Sequence, residues 1–75
     1  MLLREFEIDD HIIRLNEKDD IFIAEVLNSG GERLFYHEFS NYENIKTGFN
    51  QIIEENEASN IDIKRVLTIL ENSKY

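Results

Sequence analysis

Residues able to carry chemistry are few, and none stands at a spacing that chemistry requires. The two histidines, His11 and His37, belong to no HExxH-type ligand pair, and each reads as a structural residue within a strand. Ser29, Ser40, Ser59 and Ser73 fall at turns, caps or ends, and no GxSxG surrounds any of them. Asp19-Asp20 invites a calcium reading, but no ladder of ligands with a mid-loop glycine and a terminal glutamate follows it. Gly30-Gly31 is no phosphate loop, because neither GxGxxG nor a Lys-Ser/Thr step accompanies it. There is no cysteine, hence no disulfide, thiolate zinc site or thiol nucleophile. Carboxylates are plentiful, yet a general acid needs a pocket that raises its pKa. Seventy-five residues leave little room for one beside a minimal core. The expectation is a non-enzymatic protein with no metal and no cofactor.

The carboxylates are then what needs explaining. Sixteen acidic residues stand against eight basic ones, a formal net charge of -8. Residues 1–40 hold ten acidic and four basic side chains, and residues 41–75 hold six and four. Such a body repels nucleic acid and anionic membrane and speeds encounter with basic proteins, although net charge far from zero also serves solubility alone. Lys64, Arg65 and Lys74 are too few for a phosphate track. The strand aromatics Phe22, Phe35, Tyr36 and Phe39 lack the basic companions of an RNA-stacking platform. No run nears the ~20 apolar residues of a membrane span, and Met1-Leu2-Leu3-Arg4-Glu5 does not read as a signal peptide. The expectation is a soluble, cytoplasmic protein with a basic protein partner, no direct nucleic-acid binding and no membrane.

The elements that position these side chains follow from periodicity. Leu3–Ile8 alternates, Phe6 and Ile8 on one side and Glu5 and Glu7 on the other, as a half-buried strand does. Asp9-Asp10 reads as a turn, residues 11–15 as a second strand and residues 16–20 as a polar loop. Residues 21–27 are β-branched and aromatic, a third strand. Gly30-Gly31 then predicts a two-residue hairpin turn into a fourth strand, residues 33–39. Ser40 with Glu43 predicts a capping box, and Tyr42, Ile45, Phe49, Ile52 and Ile53 recur at helical spacing. Gly48 inside that helix predicts a close approach of helix to sheet or helix. The helix is expected to fray through Glu54-Glu55-Asn56-Glu57, where like charges oppose the dipole. Asn60 is the expected N-cap of a second helix carrying Ile63, Val66, Leu67 and Leu70, with Lys64 and Arg65 outward and residues 72–75 a loose tail. The reading is one α+β domain over residues 1–75: an antiparallel four-strand meander (2–39), then helices at about 41–56 and 61–72 packed on one face.

That hairpin places Leu27 opposite Leu34, Val26 opposite Phe35, Ala24 opposite His37 and Phe22 opposite Phe39, whereas a turn of three to five residues would shift the register by one and exchange part of this assignment. One sheet face then holds Phe22, Ala24, Val26, Phe35, Phe39 and His37, the core side. The other mixes Ile21, Ile23, Leu27, Leu34 and Tyr36 with Glu25, Glu32 and Glu38, joined by Glu5 and Glu7. Carboxylates spread over a flat sheet approximate an array of phosphates. Glu5, Glu7, Glu25, Glu32 and Glu38, with Tyr36, Leu34 and Ile23 as apolar anchors, form the candidate partner-binding site. Reversing Glu25 and Glu38 to lysine is expected to weaken partner binding and leave thermal stability intact or slightly higher.

A four-strand meander followed by two helices, with the step Tyr36-His37-Glu38-Phe39-Ser40 before Glu43 and Ile45, resembles small phage anti-CRISPR inhibitors. The likeness spans the chain through element order, and since those inhibitors share no motif it transfers no residue role. It implies a stoichiometric blocker of a CRISPR effector that acts as a nucleic-acid mimic at a nucleic-acid-binding surface. Ile23-Ala24-Glu25-Val26 is similar to a segment of HicB-type antitoxins, which implies neutralisation of a basic toxin; their Pro-Gly-Cys-like turn is missing. A third possibility is a small assembly subunit that forms a homodimer through its sheet, and the sequence leaves monomer and homodimer both open.

Overall fold

The alternating stretches form β1 (Leu2–Ile8), β2 (His11–Lys18), β3 (Ile21–Leu27) and β4 (Arg33–Phe39), and the two amphipathic stretches form α1 (Tyr42–Glu57) and α2 (Ile63–Asn72). The computed structural model describes residues 1–74. The strands pair antiparallel in chain order, β1-β2-β3-β4, so the α+β meander expected from sequence is the fold observed.

Two tight turns set the register. Asp9-Asp10 joins the pair Ile8–His11, and Asp19-Asp20 joins Lys18–Ile21. All four aspartates have positive φ, between 51° and 65°, the pattern of a type I′ turn whose twist suits a hairpin. Aspartate tolerates this region because its short polar side chain can bond locally. Asn16-Glu17-Lys18, expected in a loop, instead completes β2. The Met1 ammonium donates to Glu17 O at 2.5 Å, and Met1 O accepts from Glu17 N at 2.8 Å.

The third connection is not the expected two-glycine turn. Asn28 Oδ1 accepts from the N–H of Gly30 (3.0 Å) and of Glu32 (2.8 Å), and Asn28 N donates to Glu32 O at 2.9 Å. The loop therefore spans residues 28–32, and Leu27 pairs with Arg33 rather than Leu34. Gly31, at φ 84°, supplies the left-handed residue that this loop needs. Leu34 becomes the extra residue of a β-bulge. Beyond it Val26–Phe35, Ala24–His37 and Phe22–Phe39 pair as the sequence register places them.

The core lies on one side of the sheet. Ile8, Ile13, Leu15, Ala24, Val26, Phe35 and Phe39 are buried beneath Ile45, Phe49 and Ile52 of α1 and Val66, Ile69 and Leu70 of α2. Both helices run across the strands. Tyr42 at the start of α1 stacks on Phe22 of β3 (centroids 4.7 Å apart), and Phe49 meets Phe6 of β1 edge-on at 6.1 Å. Helix α2 returns from the first turn, where Asp9 Oδ2 accepts from Ile63 N at 3.0 Å, to β4, where Lys74 Nζ lies 5.3 Å from the Phe35 ring centre. Gly48 is where the helices touch: a Cβ there would overlap Ser73 Oγ. Ser73 Oγ donates to Ile69 O at 2.8 Å, Asn72 ends α2 and Ser73 and Lys74 are half-buried, so residues 72–74 are ordered against the helices rather than a loose tail; Tyr75 lies outside the described residues.

The helix ends differ from expectation in three places. Asn41, not Ser40, caps α1, its Oδ1 accepting from Glu43 N at 2.9 Å, so no Ser40–Glu43 box forms. Asp62, not Asn60, caps α2 through Arg65 N at 2.8 Å. The end of α1 does not fray before Glu57. Arg65 Nε and Nη2 grip both oxygens of Glu55 at 3.0 Å, and Gln51 Nε2 adds a third bond at 3.0 Å. These donors, Arg65 first and Gln51 next, hold the Glu55 carboxyl below its ordinary value. One outward cation of α2 thus neutralises the carboxylate that threatened α1.

The caps give a direct test. Asn41→Ala should cost about 1 kcal/mol in urea denaturation, whereas Ser40→Ala should stay within about 0.5 kcal/mol of the parent; the reverse order would restore Ser40 as the cap.

Candidate docking face

The sheet face opposite the helices is built row by row by the strand register. One row reads Glu5, Arg14, Glu25, Tyr36 across β1 to β4. Towards the 28–32 loop the next row reads Glu7, Ile12, Leu27, Arg33, and on the other side lie Leu2, Asn16, Ile23 and Glu38. Outward orientation follows from alternation, since the intervening Ile13, Leu15, Ala24, Val26 and Phe35 are buried. Lys18 and Ile21 close this face at the second turn.

The structure places Glu5, Glu7, Ile23, Glu25, Tyr36 and Glu38 together on this face. Glu32 sits apart in the loop, where Asn28 Nδ2 donates to its Oε1 at 3.1 Å. Leu34, the bulge residue, is exposed at the same end. Sequence reasoning missed the cations among the acids. Arg14 Nε donates to Glu5 Oε2 at 2.9 Å and stands beside Glu25. Arg33 Nη1 reaches Glu25 Oε2 at 3.5 Å, while its guanidinium carbon lies 4.5 Å from the Tyr36 ring centre. Tyr36 in turn donates its hydroxyl to Glu38 Oε2 at 2.5 Å. The outward carboxylates Glu5, Glu7, Glu25 and Glu38 are therefore matched against Arg14, Lys18 and Arg33. The signal was present as cross-strand spacing: once Asp9-Asp10 is a two-residue turn, Glu5 must face Arg14.

The chemistry available here is recognition by charge and apolar contact. Leu34 and Tyr36 are exposed, 42% and 43%, and Ile12, Ile21, Ile23 and Leu27 are half-buried between the ionised side chains. The Tyr36 phenol is held above its ordinary value by its bond to Glu38, then by partial loss of water and the carboxylate charge. The histidines stand elsewhere. His11 Nδ1 is 2.6 Å from Asp9 O, and His37 packs edge-on to Phe39 on the core side, centroids 4.6 Å apart. Among the described residues no three His, Asp or Glu side chains converge as a metal cage requires. Among the described residues no helix is long and apolar enough to cross a membrane.

No family model, curated protein or solved structure matches this chain.

Two outcomes test that geometry. Glu25→Lys should destabilise the fold by roughly 1 kcal/mol, because it loses Arg33 and gains repulsion from Arg14; the sequence reading expects no loss. The Tyr36 bond favours the neutral phenol, so its contribution is full below the unfolded value of about 10 and fades as pH rises through the folded one. Glu38→Ala should bring the Tyr36 midpoint down towards that value, read by ultraviolet titration against a Tyr36→Phe reference.

Proposed function

We propose that this is a non-enzymatic binding protein that docks its open sheet face on a protein surface carrying cationic groups. The observation that supports the reading is the uncovered face itself, where apolar anchors stand beside carboxylates. Leu34 and Tyr36 are exposed there, with Ile23 half-buried between strands. Anchors of this kind provide affinity when desolvated, and the net charge of -8 steers a basic partner towards contact.

The arginines decide where a partner's cations sit. Arg14 and Arg33 already occupy the middle of the face through Glu5 and Glu25. Among the described residues no ion pair engages Glu7, Glu32 or Glu38, so these rim carboxylates are the ones that receive incoming charge. In the form we favour, such docking blocks a nucleic-acid-binding surface, as the anti-CRISPR resemblance implies. Neutralisation of a basic toxin is the same contact with a different partner.

The test is a titration of dilute 15N-labelled protein with an arginine-rich peptide, followed by backbone amide shifts. Shifts should gather at Glu7, Glu32, Leu34, Tyr36 and Glu38 and weaken as salt shortens the field to ~8 Å. Shifts confined to the Asp9-Asp10 and Asp19-Asp20 turns, with the sheet face silent, would sink the reading.

A further inference from the structure

We infer that the open sheet face is self-complementary and takes a second copy of this chain, face to face, about a two-fold axis running along the strands between β2 and β3. This inference rests on the reading of the open face as the docking surface, but not on the cationic partner.

Arg14 pairs with Glu25 across β2 and β3, and Ile12 pairs with Leu27. A two-fold axis lying along the strands between β2 and β3 sets β2 of one copy over β3 of the other without shifting positions along the strand. It therefore sets Arg14 over Glu25 of the partner subunit and Ile12 over Leu27 of the partner subunit, each contact occurring twice. The outer strands follow the same rule. β1 lies over β4, so Glu7 meets Arg33 of the partner subunit and Glu5 meets the partner's Tyr36, because Glu7 shares its row with Arg33 and Glu5 with Tyr36. In these two rows every charged contact joins opposite signs or a carboxylate to a phenol, while in the remaining rows Glu38 comes over the partner's Leu2 and Lys18 over the partner's Ile21. A bare carboxylate sheet would place like charge over like charge instead. Isologous contacts of this kind are the commonest closed assemblies, and stacked sheets with nearly aligned strands are a standard packing.

Arg14 and Glu25 can meet across the interface without giving up their own partners, whereas the Tyr36 hydroxyl has its one proton on Glu38 and meets Glu5 of the partner subunit only as a neighbour. Arg14 uses Nε for Glu5, which leaves the two terminal nitrogens of its fork to reach across. Glu25 receives Arg33 on Oε2 at 3.5 Å, and a carboxylate has acceptor sites for more than one donor. Size sets the strength. Four strands at ~4.8 Å spacing and seven residues at ~3.3 Å make a face of on the order of 450 Å². Two such faces bury close to the lower limit of about 1,000 Å² for a specific interface. The dimer is accordingly weak and reversible, with dissociation at roughly 10–100 µM.

Sedimentation equilibrium over a concentration series tests this. The wild-type mass should rise from one chain towards two across that range. Arg14→Glu and Glu25→Arg should each shift the transition at least about tenfold higher, one chain over its copy now placing like charges together. An equimolar mixture of the two variants should recover the doubled mass, since one contact then joins the two substituted side chains with opposite signs and the other joins the native Arg14 of one chain to the native Glu25 of the other. The Arg14→Glu/Glu25→Arg double variant keeps positions 14 and 25 opposite in sign within each chain and between chains, although it sets like charges beside Glu5 and Arg33. It should dimerise more tightly than either single variant, so a folding defect in either single variant does not decide the matter. A wild type of one-chain mass throughout overturns the inference, as do single variants that dimerise normally or a mixture that fails to pair. Run below the dimer range, the peptide titration stands or falls separately: loss of dimer leaves a peptide response intact, and loss of the peptide response removes only the cationic partner.

Discussion

Two helices can cover only one face of a four-stranded sheet, and the rest of this structure follows from that limit. The thirteen core residues buried among the described residues lie between the sheet and α1–α2, a small core for a chain near the lower size for folding unaided. The opposite face has to remain in water while it holds its strands in register. It does so with cross-strand ion pairs set among half-buried aliphatics. Pairs so exposed contribute little stability each. Their larger effect is on register, since like charges facing one another across the strands are unfavourable.

Register in turn depends on the two aspartate turns. A slip of one residue would exchange core and solvent faces along a whole strand, and two-residue loops leave no slack for it. Asp9 has a second task, accepting the first free N–H of α2, so the residue that shapes the β1–β2 hairpin also fixes where α2 begins. Much of the chain's acidity is committed in this way. Asp62 caps α2, Glu55 holds Arg65, Glu5 and Glu25 hold arginines, and Glu38 holds a phenol. A formal charge of -8 therefore overstates the carboxylate surface that a partner meets.

This commitment explains what the sequence revealed and what it concealed. Period-two and helical patterning located every element and assigned Phe22, Ala24, Val26, Phe35 and Phe39 to the core side, because burial imposes those periods directly. Gly48 announced a close approach for the same reason. The caps were harder. Ser40 and Asn41 are neighbouring N-cap formers, and the choice between them depends on where β4 releases the chain. The length of the turn after β3 is left open by the sequence because Asn28, rather than a glycine pair, organises it through two side-chain bonds. Arg14 and Arg33 were the most consequential omission. Their partners lie nine and eight residues away in sequence, and they become neighbours only after the hairpins are drawn in register.

The alternation of sign across the middle row bears on specificity. A uniform carboxylate field attracts any polycation, with selection left to the rim. A row reading acid, base, acid rewards only a surface that presents the inverse order at strand spacing, and penalises one that misplaces a single charge. Symmetry supplies that inverse order automatically to a second copy, because the residue that needs a partner on β2 finds it on β3. Desolvation of partly buried pairs offsets much of the attraction, so self-contact of this kind is selective yet readily reversed. A face with those two properties can shield its apolar residues and still yield them to another protein whose cations meet the rim.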